Sequence, residues 1–98
     1  MKNLTELEKQ MIEQILHDYE IDGIENTEFH NMTWDNEEMA KKWRGTFTSL
    51  KRKKIVSHYN DKGCFNPIFP TQKLVDVCEE NGIEIKEEVM EQMKPYLQ

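Results

Sequence analysis

The sequence lacks a long apolar run and has few cysteines, and both absences limit what the protein can be. No apolar stretch approaches the roughly eighteen residues of a membrane span, so we expect no transmembrane helix. Cys64 and Cys78 are too few for a disulfide framework and show no metal-site spacing, so we expect free thiols, no metal and no cofactor. The opening MKNLTELEKQ has no apolar core of a secretion signal, which favours a cytoplasmic protein.

Catalytic motifs are also missing. The chain has no Gly-rich phosphate loop and no nucleophile elbow, and no pair of carboxylates stands out among its nineteen Asp and Glu residues. The histidines His17, His30 and His58 are scattered and share no ligand spacing with the cysteines. We therefore expect a binding protein and not an enzyme.

Acidic residues are absent from one segment of an otherwise acidic chain. The segment from Met39 to Asn60, called the basic segment below, holds seven of the thirteen Lys and Arg residues and no Asp or Glu. The rest of the chain has six Lys and Arg residues against nineteen Asp and Glu, and the formal net charge of the protein is −6. This polarity favours a polyanion at one face, although a solvated basic helix without a partner would show the same charges.

The 98 residues predict one domain that opens with a helix. Apolar residues recur at helical spacing from Asn3 to Tyr19. Either Asn3 with Glu6 or Thr5 with Glu8 forms a capping-box pattern at its start, and Gly23 marks its end. The segment that follows, up to Asn36, has no helical period and is interpreted as a loop with a short edge strand.

Two short helices separated by a turn are predicted next, within the basic segment. The first is capped near Asn36 and ends at Gly45. The second begins at Thr46 and points Phe47 inward. Two short helices around a turn that contains Gly form a helix-turn-helix pattern. Trp43 and Phe47 could stack on bases of a single strand, but their helical spacing favours the core.

Strand and turn residues follow the basic helices. Ile55 to Tyr59 is rich in β-branched and aromatic residues, Asn60 to Gly63 supplies a turn, and Phe65 to Phe69 is predicted as a short returning strand. Thr71 then caps a helix that stops at Asn81-Gly82. The residues predicted to be mostly buried are Leu7, Met11, Ile15, Met39, Trp43, Phe47, Leu50, Val56, Leu74 and Val75.

Residues 83–98 predict a C-terminal helix that Pro95 ends or kinks. Its apolar face consists of Ile85, Val89, Met90 and Met93. This face packs either on the first helix or on a second copy of the chain. A homodimer through the C-terminal helix is therefore one expectation.

The segment Ser49–Val56, SLKRKKIV, resembles the end of a recognition helix that runs into the first strand of a wing. Phe69–Thr71 is similar to the exit from such a wing. The chain thereby resembles, over residues 36–82, the winged helix-turn-helix family of small bacterial and phage DNA-binding regulators, MarR-like proteins among them. The resemblance implies an α+β, mostly helical fold with a small antiparallel wing hairpin and an extra C-terminal helix. The family commonly has Gly at the corner where this chain has Lys54.

The resemblance further implies that the helix beginning near Thr46 lies in the major groove of double-stranded DNA. The residues that would face base edges or nearby phosphates are Thr46, Thr48, Ser49 and Arg52. The residues that would pair with phosphates are Lys41, Lys42, Arg44, Lys51, Lys53 and Lys54. His58 and Lys62 on the wing would reach the flanking backbone. These residue types suit the roles, because hydroxyls bind phosphates and bases alike and an Arg can read guanine with two hydrogen bonds.

Two functions from different classes remain. The first is duplex DNA binding by a small transcriptional or replication-type regulator. The second is a winged helix that contacts a protein, as an inhibitor or adaptor of partner machinery, with no DNA binding. The net charge of −6 favours the second, because long-range repulsion slows the encounter of an acidic protein with DNA.

Overall fold

Helices dominate the fold, and a pair of antiparallel strands completes it. The computed structural model describes residues 4–27, 37–58 and 67–97. Within these ranges the α-helices are α1 (Glu6–Asp22), α2 (Glu37–Arg52), α3 (Gln72–Glu80) and α4 (Glu87–Met93), with short 3-10 helices at Ile24–Asn26 and Lys94–Tyr96. The strands are β1 (Val56–His58) and β2 (Ile68–Pro70). The prediction of a mostly helical α+β fold is confirmed.

The start and the end of α1 follow the sequence signals. The Thr5 backbone N–H donates to the Glu8 carboxylate at 2.9 Å, and the Glu8 N–H donates to the Thr5 hydroxyl at 3.1 Å. This reciprocal pair is the predicted capping box. The helix ends at Gly23, whose φ of 87° suits glycine. It runs to Asp22, three residues past the predicted end at Tyr19.

The predicted turn at Gly45 is wrong, because α2 passes through it without a break. Ala40, Phe47 and Leu50 are buried on the same side of this helix. The apolar stripe that faces the core therefore continues past Gly45 with its helical spacing unchanged. A glycine inside a helix costs only about 1 kcal/mol relative to alanine, which burial of this stripe outweighs. The expected second helix beginning at Thr46 is therefore the C-terminal half of one longer helix.

A Schellman motif ends α2 and turns the chain into β1. The Ile55 N–H donates to the Leu50 carbonyl at 2.9 Å, and the Lys54 N–H donates to the Lys51 carbonyl at 3.0 Å. Ile55 and Leu50 are both fully buried and supply the apolar contact of the motif. Lys54 occupies the left-handed position with φ of 64°. The corner thus has the conformation that glycine favours, and a lysine adopts it.

We expect Lys54→Gly to stabilise the protein by up to about 1 kcal/mol, because glycine removes the steric cost of the left-handed conformation. The gain is limited by the larger backbone entropy that glycine gives the unfolded chain. Urea unfolding of the two proteins measures the difference. A less stable Lys54→Gly protein would mean that the lysine side chain makes a contact worth more than the relieved strain.

The strand pair is fixed to α1 through Ile68. Val56 lies opposite Pro70 and His58 lies opposite Ile68. The returning strand is described over Ile68–Pro70, which overlaps the end of the predicted Phe65–Phe69, whereas residues 65 and 66 lie outside the described residues. The Ile68 N–H donates to the Thr27 carbonyl at 2.9 Å. The Ile68 carbonyl accepts a hydrogen bond from the buried Tyr19 hydroxyl at 2.7 Å. The strands consequently lie at a defined position against the first helix.

The core is formed by α1, the inner side of α2, the strand pair, α3 and α4, with the largest share of buried residues from α1. Of the ten residues predicted as core, six are buried: Met11, Ile15, Phe47, Leu50, Val56 and Leu74. The other four are half-buried: Leu7, Met39, Trp43 and Val75. None of the ten is an exposed surface residue, so the predicted core is largely confirmed.

The C-terminal helix packs within the same chain. Val89 and Met93 are buried, while Ile85 and Met90 are half-buried. The Gln92 side chain links α4 to the end of α1, donating to the Tyr19 carbonyl at 3.2 Å and accepting from the Ile24 N–H at 3.3 Å. Much of the apolar face is thus covered by one copy of the chain. The helices in the described ranges are all too short or too polar to cross a membrane.

Candidate nucleic-acid interface

The outward face of α2 carries a line of residues at helical spacing. Lys41, Gly45, Thr48 and Arg52 follow one another four, three and four residues apart, and all four are exposed. At 1.5 Å per residue, Lys41 and Arg52 lie about 16 Å apart along the helix axis. The line therefore has a cation at each end and two small uncharged residues in the middle.

Further cations flank this line. Arg44 and Lys51 lie on one side of it and Lys42 on the other, and all three are exposed. The Lys51 ammonium lies 5.0 Å from the centre of the Phe47 ring, so a cation–π contact orients it. The acids of α2, Glu37 and Glu38, are confined to its first turn, where they complement the helix dipole. The face from Lys41 to Arg52, called the α2 basic face below, contains only positive and uncharged residues.

Two of the predicted DNA contacts turn away from this face and bind Glu8. The Lys53 ammonium contacts the two Glu8 carboxylate oxygens at 3.0 and 2.8 Å. The Ser49 hydroxyl donates to Glu8 at 2.7 Å. The side chain of Glu8 is only 3% exposed. Ser49 and Lys53 therefore join α2 to α1, and the assignment of both to DNA contact is corrected on this ground.

The ionised state of Glu8 is favoured by these contacts. Burial by itself raises the pKa of the Glu8 carboxyl, but hydrogen bonds from Lys53, Ser49 and the Thr5 backbone, with the charge of Lys53, outweigh it. The pKa of Glu8 is consequently lowered from its usual value. Glu8 is at once the residue that completes the capping box of α1 with Thr5 and the acceptor that holds the C-terminal end of α2.

Thr46 is also removed from the set of candidate contacts. Its side chain is buried, and its hydroxyl donates to the Lys42 carbonyl at 2.8 Å. This follows from the continuous helix, which turns Thr46 to the inner side. Thr48 stays exposed, and its hydroxyl donates to the Arg44 carbonyl at 3.0 Å. Its methyl group and its oxygen lone pairs remain able to meet a partner.

The candidates near the strand pair are described only in part. Lys54 is exposed at the corner between α2 and β1. His58 ends β1, but its side chain and the whole of Lys62 lie outside the described residues. The predicted contacts that are exposed in the described part of the chain are Lys41, Lys42, Arg44, Thr48, Lys51, Arg52 and Lys54, and Lys54 lies near Lys51 beside β1.

The sequence interpretation missed the second role of Glu8 and the position of Gly45. The signal for Glu8 was incomplete, because any of the nineteen acids could have paired with Lys53. The position of Gly45 could have been found from the unbroken apolar spacing on both sides of it. Among the described residues, no three His, Cys, Asp or Glu side chains form a metal-binding group.

Comparisons of the chain with protein-family models, with curated proteins and with solved structures gave no significant match.

Proposed function

We propose that the protein is a small duplex DNA-binding regulator of the transcriptional or replication type. In this proposal α2 enters the major groove as the recognition helix, and the β1–β2 pair belongs to a wing beside it. The proposed setting is the cytoplasm of a bacterial cell. The α2 basic face is the observation that carries the proposal.

The geometry of this face suits a DNA groove. The major groove is about 12 Å wide and admits an α-helix. Lys41 and Arg52 lie about 16 Å apart along the helix, so cations near both ends can meet phosphates while Gly45 and Thr48 face the bases. The helix dipole accounts for Lys51 and Arg52 in the last turn, as it would in a solvated helix. It gives no reason for Lys41, Lys42 and Arg44 in the N-terminal half of the same helix. The arrangement therefore supports a helix that lies in a groove.

The connection from α2 to the strands supports the wing. The Schellman motif turns the chain from α2 to β1 within three residues, Lys53 to Ile55. The Thr71 hydroxyl donates to the Ile55 carbonyl at 2.7 Å, which joins the exit of β2 to the same corner. Lys54 at this corner is placed between helix and hairpin, where a phosphate beside the groove would lie.

The structure changes the roles that the resemblance implied. Thr48 and Arg52 remain candidates for base edges, and Arg52 can serve either a base or a phosphate. The proposed phosphate contacts are Lys41, Lys42, Arg44, Lys51 and Lys54. Together with Arg52, these residues are six cations. Each neutralised phosphate adds about 0.9 to the magnitude of the slope of log affinity against log salt, so this magnitude should not exceed about 5.

The primary experiment is a salt series of binding to random-sequence duplex DNA, followed by selection of bound sites from a random pool. We expect affinity to fall steeply with salt and the pool to yield one enriched site. A twice-repeated half-site would support the homodimer, which stays a prediction because α4 uses much of its apolar face within one copy.

We expect Lys42→Ala and Arg52→Ala to affect binding differently. Lys42 lies at the flank of the line, so its loss should weaken all duplexes alike and reduce the salt slope by about one unit. Arg52 lies on the line itself, so its loss should cost about 1–3 kcal/mol on the selected site and relax the preference at one base pair. Binding titrations on the selected site and on single-base variants measure both effects. Lys86→Gln, at the N-cap of α4, is the matched control, because it removes one exposed positive charge away from α2.

A result with no duplex binding would favour the second class of function. If wild type, Lys42→Ala and Arg52→Ala all show negligible affinity for duplex DNA at low salt, the α2 basic face serves an acidic protein surface. The net charge of −6 supports this alternative, because long-range repulsion slows the encounter of an acidic protein with DNA.

A further inference from the structure

Gly45 stands in the middle of the α2 basic face without a structural reason inside the chain. It has ordinary helical backbone, and a Cβ built there meets no atom within 4 Å. Glycine is one of the least favourable residues in a helix interior, and alanine at the same place would cost nothing in packing. The fold alone would therefore be more stable with almost any other residue at this position.

Lys54 is the opposite case, because a lysine stands at a position that favours glycine. The helix α3 ends with the same motif as α2, in which the Ile83 N–H donates to the Cys78 carbonyl at 2.8 Å and the Gly82 N–H to the Glu79 carbonyl at 3.4 Å. In α3 the left-handed position is Gly82, with φ of 71°. In α2 the same position is Lys54, with φ of 64°. The chain thus uses glycine at one such corner and accepts a strained lysine at the other.

We infer that Gly45 and Lys54 are both placed for the partner at the expense of stability. Gly45 is the point at which the DNA approaches the backbone of α2 most closely, and Lys54 is the phosphate contact that fixes the wing side. This inference rests on the proposed function and adds to it the position of closest approach. An exposed residue that departs from a local rule at a cost in stability marks contact with a partner, because the fold gains nothing from it.

The dimensions of helix and groove explain why a missing side chain matters. An α-helix with its side chains is about 10–12 Å across, and the major groove is about 12 Å wide. A side chain at the centre of the inserted face would hold the helix axis away from the base edges. Without one at Gly45, the neighbouring Thr48 methyl and hydroxyl can reach the groove floor. The cations at the ends of the face then reach the phosphates on both sides.

The test measures thermal stability and duplex binding in the same set of variants. Gly45→Ala and Gly45→Gln should each raise the melting temperature by roughly 4–8 °C, because alanine and glutamine have a higher helix propensity than glycine. Gly45→Ala should weaken binding to the selected site by roughly tenfold, and Gly45→Gln should weaken it further. Neither variant changes a charge, so the salt slope should stay at the wild-type value. Lys54→Gly should raise the melting temperature and lower the salt slope by about one unit.

Two controls separate these effects from general changes. Gln10→Ala changes an exposed, uncharged residue of α1 to alanine and should leave binding unaltered. Lys86→Gln removes one charge from the N-cap of α4 and should leave the slope unaltered. The inference is overturned if wild-type protein binds the duplex and either Gly45 variant binds equally well, or if Lys54→Gly keeps the full salt slope. It is also overturned if Gly45→Ala is less stable than wild type. If wild-type protein does not bind duplex DNA, the proposed function and the inference fall together.

Discussion

Phe47→Ala is expected to cost about 3–5 kcal/mol of folding free energy. The side chain is 4% exposed and lies in the core cluster between α2 and the rest of the chain. Its removal loses the transfer free energy of a large aromatic ring and leaves a cavity. Domains of this size have a total stability of about 5–15 kcal/mol, so the variant should melt far below the wild type or be largely unfolded. Urea unfolding monitored by circular dichroism measures the loss.

A smaller substitution at the same site keeps the test informative. Phe47→Leu preserves most of the apolar volume, and we expect it to fold with a loss of about 1–2 kcal/mol. It also removes the ring under the Lys51 ammonium, so the cation–π contact is lost while the core remains. An unchanged melting temperature for Phe47→Ala, together with weaker nucleic-acid binding, would make Phe47 a surface contact and would falsify the core assignment.

Lys53→Ala is expected to cost about 2–4 kcal/mol at neutral pH, although Lys53 lies in the most basic part of the sequence. The substitution removes the cation from a carboxylate whose side chain is 3% exposed, and a buried charge without its partner is strongly destabilising. Ser49 and the Thr5 N–H still donate to Glu8, which limits the loss. Glu8→Gln should cost less, because the Lys53 side chain is 28% exposed and its ammonium can return to water. The double variant completes a cycle that gives the coupling energy.

The pH dependence of these proteins has a definite sign. The folded pKa of Glu8 is lowered, so its contribution to stability is present above the ordinary glutamate pKa and is lost as pH falls through the folded value. In Lys53→Ala the largest remaining influence on Glu8 is burial, which favours the protonated carboxyl. The deficit of this variant relative to wild type should therefore shrink between pH 7 and pH 4. A deficit that stays constant over this range would show that the two side chains interact without a charge.

Lys53 could either hold Glu8 or bind a phosphate of DNA. The salt dependence of DNA binding by Lys53→Ala distinguishes these two roles. Because Lys53 is bound to Glu8, the variant should keep the wild-type salt slope when measured at a temperature where it is folded. Lys42→Ala is the matched comparison, since it removes an exposed lysine of the same helix. A slope lowered by one unit in Lys53→Ala would mean that Lys53 leaves Glu8 to bind phosphate.

Local signals predicted the ends of several elements correctly. Thr5 with Glu8, Gly23, Thr71 and Gly82 each act within a few residues through backbone hydrogen bonds, so the sequence contains the whole interaction. Gly45 gives a wrong prediction because glycine is also a common turn residue. A single glycine is too weak to end a helix whose apolar stripe continues on both sides. The correct reading required the spacing of Ala40, Phe47 and Leu50 to be weighed above the glycine.

The sequence predicts the basic segment, but it does not show which side chains of the segment are bound within the fold. The absence of acids predicts a segment rich in exposed cations, and Lys41, Arg44 and Arg52 are exposed. The side chains of Ser49 and Lys53 were assigned wrongly because their partner lies more than forty residues earlier in the chain. Charge along the sequence cannot show which cations are neutralised by a distant carboxylate. That choice depends on how α1 packs against α2.

The hydrogen bonds of Ile68 have a consequence for the order in which the chain folds. The Ile68 carbonyl binds the Tyr19 hydroxyl across 49 residues, and its N–H binds Thr27. Helices α1 and α2 form from local contacts, but these bonds require the ends of a long loop to meet first. Contacts between distant residues slow folding relative to a purely helical domain. We therefore expect the strand pair to form late, on helices already formed, with the corner at Lys54 setting the direction from which it arrives; φ-values near zero for Ile68 substitutions would be the kinetic signature.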